Sequence, residues 1–191
     1  GYEGDVIHLY ERLRHVTPNP FFALLDFPNP IISTSPERFL AVRNGRVHAS
    51  PIKGTVESSI DGADQRATLE RSDKDRAENI MIVDLMRNDI GKFCEKDSVR
   101  VDSLCAVKKF NNLYHLESTI SGTIKPQTRL SDILRAVFPC GSVTGAPKIR
   151  AMDIIEELEV TRRGPYTGAI GFVGANGWID LSVAIRIAYF H

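Results

Sequence analysis

One lysine, Lys53, stands between a proline and a glycine in the segment Ser50-Pro51-Ile52-Lys53-Gly54-Thr55. Pro51 restricts its own φ and favours an extended conformation at Ser50, while Gly54 permits a bend or a close approach to a ligand. We therefore expect the backbone before Lys53 to be rigid and to fix the direction of its side chain, as a lysine that takes part in chemistry would require. An ordinary lysine at the end of a strand fits the same local sequence, so the segment alone does not decide.

A second candidate is a turn that could bind an anion, Gly141-Ser142-Val143-Thr144-Gly145-Ala146-Pro147-Lys148. Two glycines, two hydroxyls and a proline before a helix start offer backbone N–H groups with partial positive charge. Lys148 lies in the first helical turn, where the helix dipole disfavours a cation, and a bound anion would explain its position. The segment lacks the Gly-Lys-Ser/Thr ending of a phosphate loop, and an ordinary capped helix fits it equally well.

Four further polar side chains could carry chemistry, and each also has an ordinary interpretation. Arg186 is either a ligand of an anion or a solvated arginine on a strand. His115 is either a catalyst or a hydrogen-bonded strand histidine. Glu78 is either a metal ligand or part of an acidic helix start that the dipole favours. Glu37 could be a turn carboxylate paired with the arginine that follows it.

Composition excludes several classes of protein. The chain has 191 residues, 42% hydrophobic and 25% charged, which is enough for one domain with a sizeable core. It contains no apolar run of membrane-spanning length, and its net charge of zero disfavours a nucleic-acid partner. Cys94, Cys105 and Cys140 are far apart and form no CxxC pair, which favours reduced thiols in a cytoplasmic protein over disulfides or a zinc site.

The elements that must position these residues begin with a helix and antiparallel strands. The pattern predicts an amphipathic helix over Val6–Leu13 and strands over Phe21–Phe27 and Phe39–Ser50. Asn44-Gly45 is typical of a two-residue hairpin turn. We expect the polar stretch from 56 to 71 to be a surface loop.

The remaining elements alternate in type. Ser72 is expected to cap a helix, with Asp75 in an acidic variant of the capping box, and this helix ends near Gly91. A strand is predicted over Leu113–Ile124. Further predicted elements are helices over Ser131–Phe138 and Pro147–Leu158 and a hairpin of strands Thr167–Gly174 and Trp178–Phe190. The pattern favours one α+β domain, with antiparallel sheets packed face to face and flanked by helices.

Seven segments occur in the order in which the chorismate-utilising enzymes carry them, and the chain resembles that family over essentially its whole length. They are Ser35-Pro36-Glu37-Arg38-Phe39, Pro51-Ile52-Lys53-Gly54-Thr55, Asp73-Lys74-Asp75-Arg76-Ala77-Glu78-Asn79, Val83-Asp84-Leu85-Met86-Arg87-Asn88-Asp89, His115-Leu116, Gly145-Ala146-Pro147-Lys148-Ile149-Arg150-Ala151-Met152 and Asp180-Leu181-Ser182-Val183-Ala184-Ile185-Arg186. The resemblance is greatest to the aminodeoxychorismate synthase branch, because anthranilate synthases usually carry alanine where this chain has Lys53.

The resemblance implies a chemical role for Lys53 and for Glu37. In the aminodeoxychorismate synthases the matching lysine attacks ring C2 of chorismate and expels the C4 hydroxyl, after which ammonia attacks C4 and displaces the lysine. That role requires an uncharged amine. Glu37 matches the general acid for the departing hydroxyl, which requires a carboxyl that its surroundings keep protonated.

The resemblance also implies the substrate contacts, the metal and the partners. His115 matches a histidine near the reacting side of the ring, and Glu78 matches a ligand of Mg²⁺. The matching substrate contacts are Gly54, Thr55, Ser142, Tyr166 and Arg186. The implied partners are chorismate, ammonia and a glutamine amidotransferase subunit that supplies the ammonia. We expect no nucleic-acid or membrane partner.

The family's catalytic domain is longer than this chain. The resemblance implies an N-terminal portion before Gly1 and, after His191, a glycine-rich segment with further metal-ligating glutamates. We therefore expect residues 1–191 to be an incomplete core of a chorismate-binding catalytic domain, inactive when isolated. Three alternatives stay open: an anthranilate synthase component I, which Lys53 argues against, a salicylate or isochorismate synthase, and a non-catalytic domain that binds an anion or a partner chain.

Overall fold

The computed structural model describes residues 4–17, 19–58 and 65–190. The helices are α1 (Val6–Val16), α2 (Gln65–Glu70), α3 (Asp73–Gly91), α4 (Leu130–Val137) and α5 (Lys148–Leu158), and a short 3-10 turn spans Gly141–Val143. The strands are β1 (Phe21–Leu25), β2 (Ile31–Ser35), β3 (Arg38–Arg43), β4 (Arg46–Ser50), β5 (Ile52–Glu57), β6 (Arg100–Phe110), β7 (Leu113–Thr123), β8 (Ala169–Val173), β9 (Ile179–Val183) and β10 (Ile187–Tyr189).

Within the described ranges, the strands form two antiparallel sheets. One sheet has three strands in the order β1-β2-β10, and the other has seven, in the order β5-β7-β4-β3-β9-β8 with β6 paired to β7. Strand β7 pairs with three other strands, because β4 and β5 both pair with it and β6 pairs along its length. The predicted α+β class with antiparallel sheets and helices is confirmed.

Helix α3 contacts β7 and supplies much of the core. Its side chains Ile82, Val83, Met86 and Ile90 are buried in the same hydrophobic cluster as Ile120 of β7. Burying one such side chain contributes about 1.5–3 kcal/mol, so these four residues fix the helix on the sheet. The helix begins where the sequence predicts, because the Ser72 hydroxyl accepts a hydrogen bond from the backbone of Asp75 at 3.3 Å.

A buried polar contact fixes the first half of α3 beside β7. Asn79 donates through Nδ2 to the carbonyl of Leu116 at 3.3 Å, and its Oδ1 accepts from the Ser118 hydroxyl. An unpaired amide at this depth would be costly, so these contacts favour one position of the helix. These contacts also fix the backbone position of Glu78, the residue before Asn79.

Several local predictions are confirmed. Asn44 and Gly45 form the predicted hairpin turn, with φ of 51° and 73°. The predicted helices near 131–138 and 147–158 correspond to α4 and α5. Cys94, Cys105 and Cys140 are free and buried.

No helix among the described residues has both the length and the apolar character needed to cross a membrane.

Two predictions about elements are wrong. The predicted loop over 56–71 contains the end of β5 and helix α2, whose Leu69 is buried against Leu116; residues 59–64 lie outside the described part. The predicted strand Trp178–Phe190 is also interrupted. It ends at Val183, and the chain passes into the other sheet through Arg186, which has a φ of 52°.

Candidate active site

Lys53 lies on β5 next to a bulge that Gly54 makes possible. The register between β5 and β7 shifts between Lys53 and Thr55, and Gly54 has a φ of 68°. A Cβ at Gly54 would lie 2.7 Å from a methyl carbon of Leu69 and 2.9 Å from Cγ of Asp75, so a larger residue would not fit. The sequence predicts a bend or a close approach at Gly54, and the structure has both at this residue.

The amine of Lys53 points at the 3-10 turn. Its Nζ donates to the carbonyl of Ser142 at 3.2 Å. Among the described residues, no carboxylate oxygen lies within 4.0 Å of this Nζ. Lys53 is thus half-buried against a neutral acceptor and forms no direct ion pair.

Glu37 is the buried acid of the site. The residue lies between β2 and β3, is 6% exposed, and has its backbone held by Ser35 and Val183. Burial raises the pKa of Glu37 to about 7, although the Ser142 hydroxyl, the charge of Lys53 and the Ile52 backbone oppose that rise. Its Oε1 is buried and has no hydrogen-bond partner in the described part of the chain. The carboxyl is thus partly protonated near neutral pH and can donate a proton.

The turn that faces Lys53 and Glu37 is held by close packing. A Cβ at Gly141 would lie 2.7 Å from a methyl carbon of Leu85, so a larger residue would require the Leu85 side chain to shift. The Ser142 hydroxyl lies 3.2 Å from the sulfur of Cys140, and the Thr144 hydroxyl donates to the Cys140 carbonyl at 3.0 Å. These contacts place both polar groups of Ser142 at the site.

His115 and Thr55 form a second polar pair, directly opposite each other on β7 and β5. Thr55 Oγ1 lies 2.8 Å from Nδ1 of the buried His115. Burial lowers the pKa of His115 below its ordinary value, the charge of Arg186 lowers it further, and Glu117 opposes both. The imidazole is therefore neutral at pH 7, with one ring nitrogen able to donate and the other able to accept.

Arg186 and Tyr166 are two of the exposed side chains among the predicted substrate contacts. The backbone of Arg186 is fixed because its carbonyl accepts from Thr34, at 3.0 Å from the amide and 3.1 Å from the hydroxyl. Its side chain is exposed, and it is near enough to His115 to act on that ring's charge. Tyr166 is 49% exposed in the loop before β8. Both side chains are thus accessible to a ligand.

Arg163 is a site residue that the sequence analysis missed. Its Nη1 donates to the carbonyl of Val143 at 3.1 Å, and its other nitrogens pair with Glu159. It therefore ties the loop that carries Tyr166 to the 3-10 turn that carries Ser142. Nothing in the local sequence distinguishes Arg163 from the arginine beside it, so only the fold identifies this contact.

Glu78 is a partly exposed carboxylate on α3 and is a weak metal site by itself. Its side chain is 42% exposed, and its Oε1 lies 4.0 Å from the Lys74 amine. The described residues contain no group of three or more His, Cys, Asp or Glu side chains that could hold a metal ion. The residues present thus do not assemble a metal site, and the role of Glu78 as a Mg²⁺ ligand stays a prediction.

Lys148 has a protein partner in place of the anion that the sequence suggested. Its Nζ forms an ion pair with Asp89 and donates to the carbonyl of Val137 at 2.9 Å. The side chains of Lys148 and Asp89 are only 13% and 7% exposed. The position of this lysine at a helix start is explained by Asp89, so it no longer argues for a bound anion.

The family model of the chorismate binding enzyme matches residues 1–191. The chain belongs to this family. Its recognition from sequence motifs is confirmed.

One curated relative of the chain is the aminodeoxychorismate synthase component 1 of Salmonella typhimurium. The two are 47% identical over 189 residues, which are 97% of this chain and 42% of the relative. The anthranilate synthase component 1 of Saccharolobus solfataricus is 41% identical over 197 residues, covering 100% of this chain and 46% of the relative. The chain thus spans less than half the length of these relatives.

The fold is similar to that of the crystal structure of anthranilate synthase component I from Streptococcus pneumoniae TIGR4. The TM-score is 0.88 at 40% identity, over 98% of this chain and 42% of that chain. The predicted anthranilate synthase component I-like fold is confirmed.

Proposed function

We propose that this chain is the core of the catalytic domain of an aminodeoxychorismate synthase, which replaces the C4 hydroxyl of chorismate with an amine for para-aminobenzoate and folate synthesis. The observation that carries the proposal is the position of Lys53, held on a neutral carbonyl beside the buried acid Glu37. The identity to the Salmonella typhimurium aminodeoxychorismate synthase component 1 supports it.

In the first proposed step, the uncharged amine of Lys53 attacks ring C2 of chorismate. A C2–N bond forms, the ring double bonds shift, and the C4–O bond breaks. Glu37 donates its proton to the departing hydroxyl, which leaves as water. The burial of Glu37 suits this step, because an acid with a pKa of about 7 still holds a proton at neutral pH.

In the second proposed step, ammonia attacks C4 and the C2–N bond breaks. The double bonds return to their first arrangement, and the amine of Lys53 is released. Glu37, now a carboxylate, can take the proton that ammonia loses on forming its new bond. A glutamine amidotransferase subunit is the proposed source of the ammonia.

The remaining residues bind and orient the substrate in this proposal. Chorismate carries two carboxylates, and an exposed arginine such as Arg186 can bind one of them in a bidentate manner. The exposed Tyr166 is a further proposed carboxylate contact. Thr55 and the backbone of Gly54 contact the ring next to Lys53, and the neutral His115 lies opposite them.

Mg²⁺ and a cytoplasmic location are also proposals. Glu78 supplies a partly exposed carboxylate, the ligand type that Mg²⁺ prefers, and would need further ligands from outside the described residues. Bound near the ring carboxylate, the ion would stabilise negative charge there. The cytoplasmic location is supported by three buried free cysteines, which suit a reducing compartment.

The second candidate is anthranilate synthase component I. The identity to the Saccharolobus solfataricus protein and the similarity to the Streptococcus pneumoniae structure favour it. That reaction aminates chorismate at C2 and then eliminates pyruvate. It gives no role to an amine at position 53.

The test is the identity of the product. Chorismate, ammonium and Mg²⁺ are added to the complete gene product that contains this chain, and the products are identified by mass spectrometry. We expect an aminated product that retains the enolpyruvyl group, sharply reduced in Lys53→Ala and unchanged in Lys96→Ala, an exposed lysine. Anthranilate as the product would transfer the assignment to the second candidate, and no turnover would favour a non-catalytic domain.

A further inference from the structure

Arg163 contacts three segments of the chain through one guanidinium group. Its Nε and Nη2 donate to the two carboxylate oxygens of Glu159, where α5 ends, at 2.8 and 2.5 Å. Its Nη1 donates to the carbonyl of Val143 in the 3-10 turn at 3.1 Å and to the hydroxyl of Thr167 at 3.4 Å. A planar guanidinium spreads its donors toward acceptors in different directions, whereas a lysine ammonium offers its donors from one atom. The arginine fork therefore suits a residue that joins three segments.

Thr167 connects Arg163 to the backbone of Tyr166. The Thr167 hydroxyl accepts from Arg163 and donates its one hydrogen to the carbonyl of Tyr166 at 2.6 Å. The Thr167 amide donates to the carbonyl of Ala184 at 2.8 Å. The direction of each of these hydrogen bonds is fixed, because a guanidinium only donates and a carbonyl only accepts. Arg163 thus acts on the backbone that carries the Tyr166 ring.

The backbone of Thr167 has a conformation that needs outside support. Its φ is 65°, in the left-handed region that a β-branched residue rarely adopts. Such a conformation persists where the surrounding contacts hold it. The contacts here are the amide bond to Ala184 and the hydroxyl contact with Arg163. Loss of the Arg163 side chain should therefore allow this part of the loop to relax.

We propose that Arg163 is a positioning residue that holds the loop of residues 159–168 against the 3-10 turn and thereby fixes Tyr166 for its contact with a substrate carboxylate. The Tyr166 side chain is 49% exposed, so the hydrogen bonds of its backbone have to fix its place. A side chain that is already fixed loses less conformational freedom when a ligand binds. The inference rests on the proposed function for the substrate contact of Tyr166.

The kinetic test compares Arg163→Met and Arg163→Lys in the complete gene product, with Arg162→Met at the exposed neighbouring position as the matched control. Both Arg163 variants should raise KM for chorismate roughly 5- to 10-fold, the cost of ordering about one side chain on binding, and keep kcat within about 3-fold. The control should behave as the parent. Lysine keeps the positive charge beside Glu159 but not the fork. Parent-like kinetics of Arg163→Lys, or a loss confined to kcat, would overturn the inference.

A double-mutant cycle with Tyr166→Phe distinguishes positioning of Tyr166 from a general structural role. If Arg163 acts through Tyr166, Arg163→Met should change kcat/KM by less than about 2-fold once the tyrosine hydroxyl is absent. An equal loss in both backgrounds would mean that Arg163 acts by another route, and the inference would be wrong.

Hydrogen exchange without substrate separates this inference from the proposed function. Mass spectrometry of the complete gene product follows peptides that cover residues 163–168, with peptides from α3 as the internal reference. Faster exchange confined to the loop in Arg163→Met supports the inference even if the product proves to be anthranilate. Unchanged exchange, or faster exchange that extends to α3, contradicts it even if the product is the one proposed.

A second pair of variants serves if Arg163→Met fails to fold. Thr167→Val keeps the shape of the side chain and removes the hydroxyl, and Thr167→Ser keeps the hydroxyl. We expect faster exchange of the loop in Thr167→Val and exchange close to that of the parent in Thr167→Ser. Equal exchange in the two variants would overturn the inference.

Discussion

Lys53 and Lys148 look alike in the sequence and differ in the structure. Each lies one or two residues after a proline in a segment that also contains glycine. Lys148 is almost fully buried and ion-paired with Asp89, whereas Lys53 is half-buried on the carbonyl of Ser142 beside the buried Glu37. The comparison shows that the partner, which the local sequence does not reveal, decides how far the amine of a lysine is already engaged. The amine of Lys148 is bound in an ion pair with a carboxylate. The amine of Lys53 donates to a neutral carbonyl, a weaker contact that a substrate could replace.

Lys53→Met should have the largest effect on turnover. Loss of a nucleophile removes the covalent step, so we expect product formation to fall by about 10⁴-fold or more. The free energy of unfolding should change by only about 1 kcal/mol, because no ion pair is broken. Mass spectrometry of the product and denaturant unfolding of the complete gene product measure the two effects. A variant that keeps more than a tenth of the turnover would make Lys53 no different from an ordinary strand lysine.

Lys148→Met should show the reverse pattern. The substitution removes the buried cation of Asp89 and leaves only the partly exposed Lys92, 2.7 Å away, to compensate the carboxylate. We expect this to cost about 3 kcal/mol of unfolding free energy, the lower end of the range for breaking a buried ion pair. Adding Asp89→Asn removes the carboxylate that Lys92 alone compensates, and should recover part of that loss. Denaturant unfolding of the single and double variants measures the coupling. Unchanged stability together with lost substrate binding would return the anion-binding interpretation to the turn.

Glu37→Gln should remove a pH dependence of stability. The folded pKa of Glu37 is raised to about 7 from an ordinary 4.5, so the folded state binds more protons than the unfolded state between these two values. The wild-type free energy of unfolding therefore falls as pH rises through this window, by about 3 kcal/mol in all. Glutamine does not titrate, so the variant should gain stability relative to wild type between pH 5 and pH 8. Parallel unfolding curves at the two pH values would mean that the carboxyl is not buried as described.

The same two lysines show how far sequence reasoning reaches. The Ser72 cap and the Asn44-Gly45 turn were predictable, because both depend on residues that are neighbours in the chain. The partner of Lys148 lies 59 residues away and that of Lys53 lies 89 residues away. No local pattern encodes either pair, so the open alternatives at both lysines could be separated only by the fold.

The missed elements have similar causes. Helix α2 is short, and its buried Leu69 gives too little periodicity to distinguish a helix from a polar loop. The alternation after Trp178 continues across a change of sheet, which Arg186 accommodates with a left-handed φ. The family motifs, in contrast, named the side chains at Lys53, Glu37 and Ser142 without giving their arrangement.

The smallest expected effect concerns the charge near Lys53. The His115 ring lies across the strand pair from Thr55, and we expect it to be neutral. The charge of the exposed Arg186 contributes to this, because it lowers the pKa of His115. Arg186→Gln removes this cation and should raise the His115 pKa, though not to its ordinary value, because burial of the ring remains. NMR titration of the imidazole measures the shift, with Arg87→Gln as control, since Arg87 pairs with Asp84 on the exposed side of α3. Overall stability should change by less than about 0.5 kcal/mol. An unmoved or lowered pKa would mean that Arg186 is directed away from His115, which would also remove it from the substrate contacts proposed beside that ring.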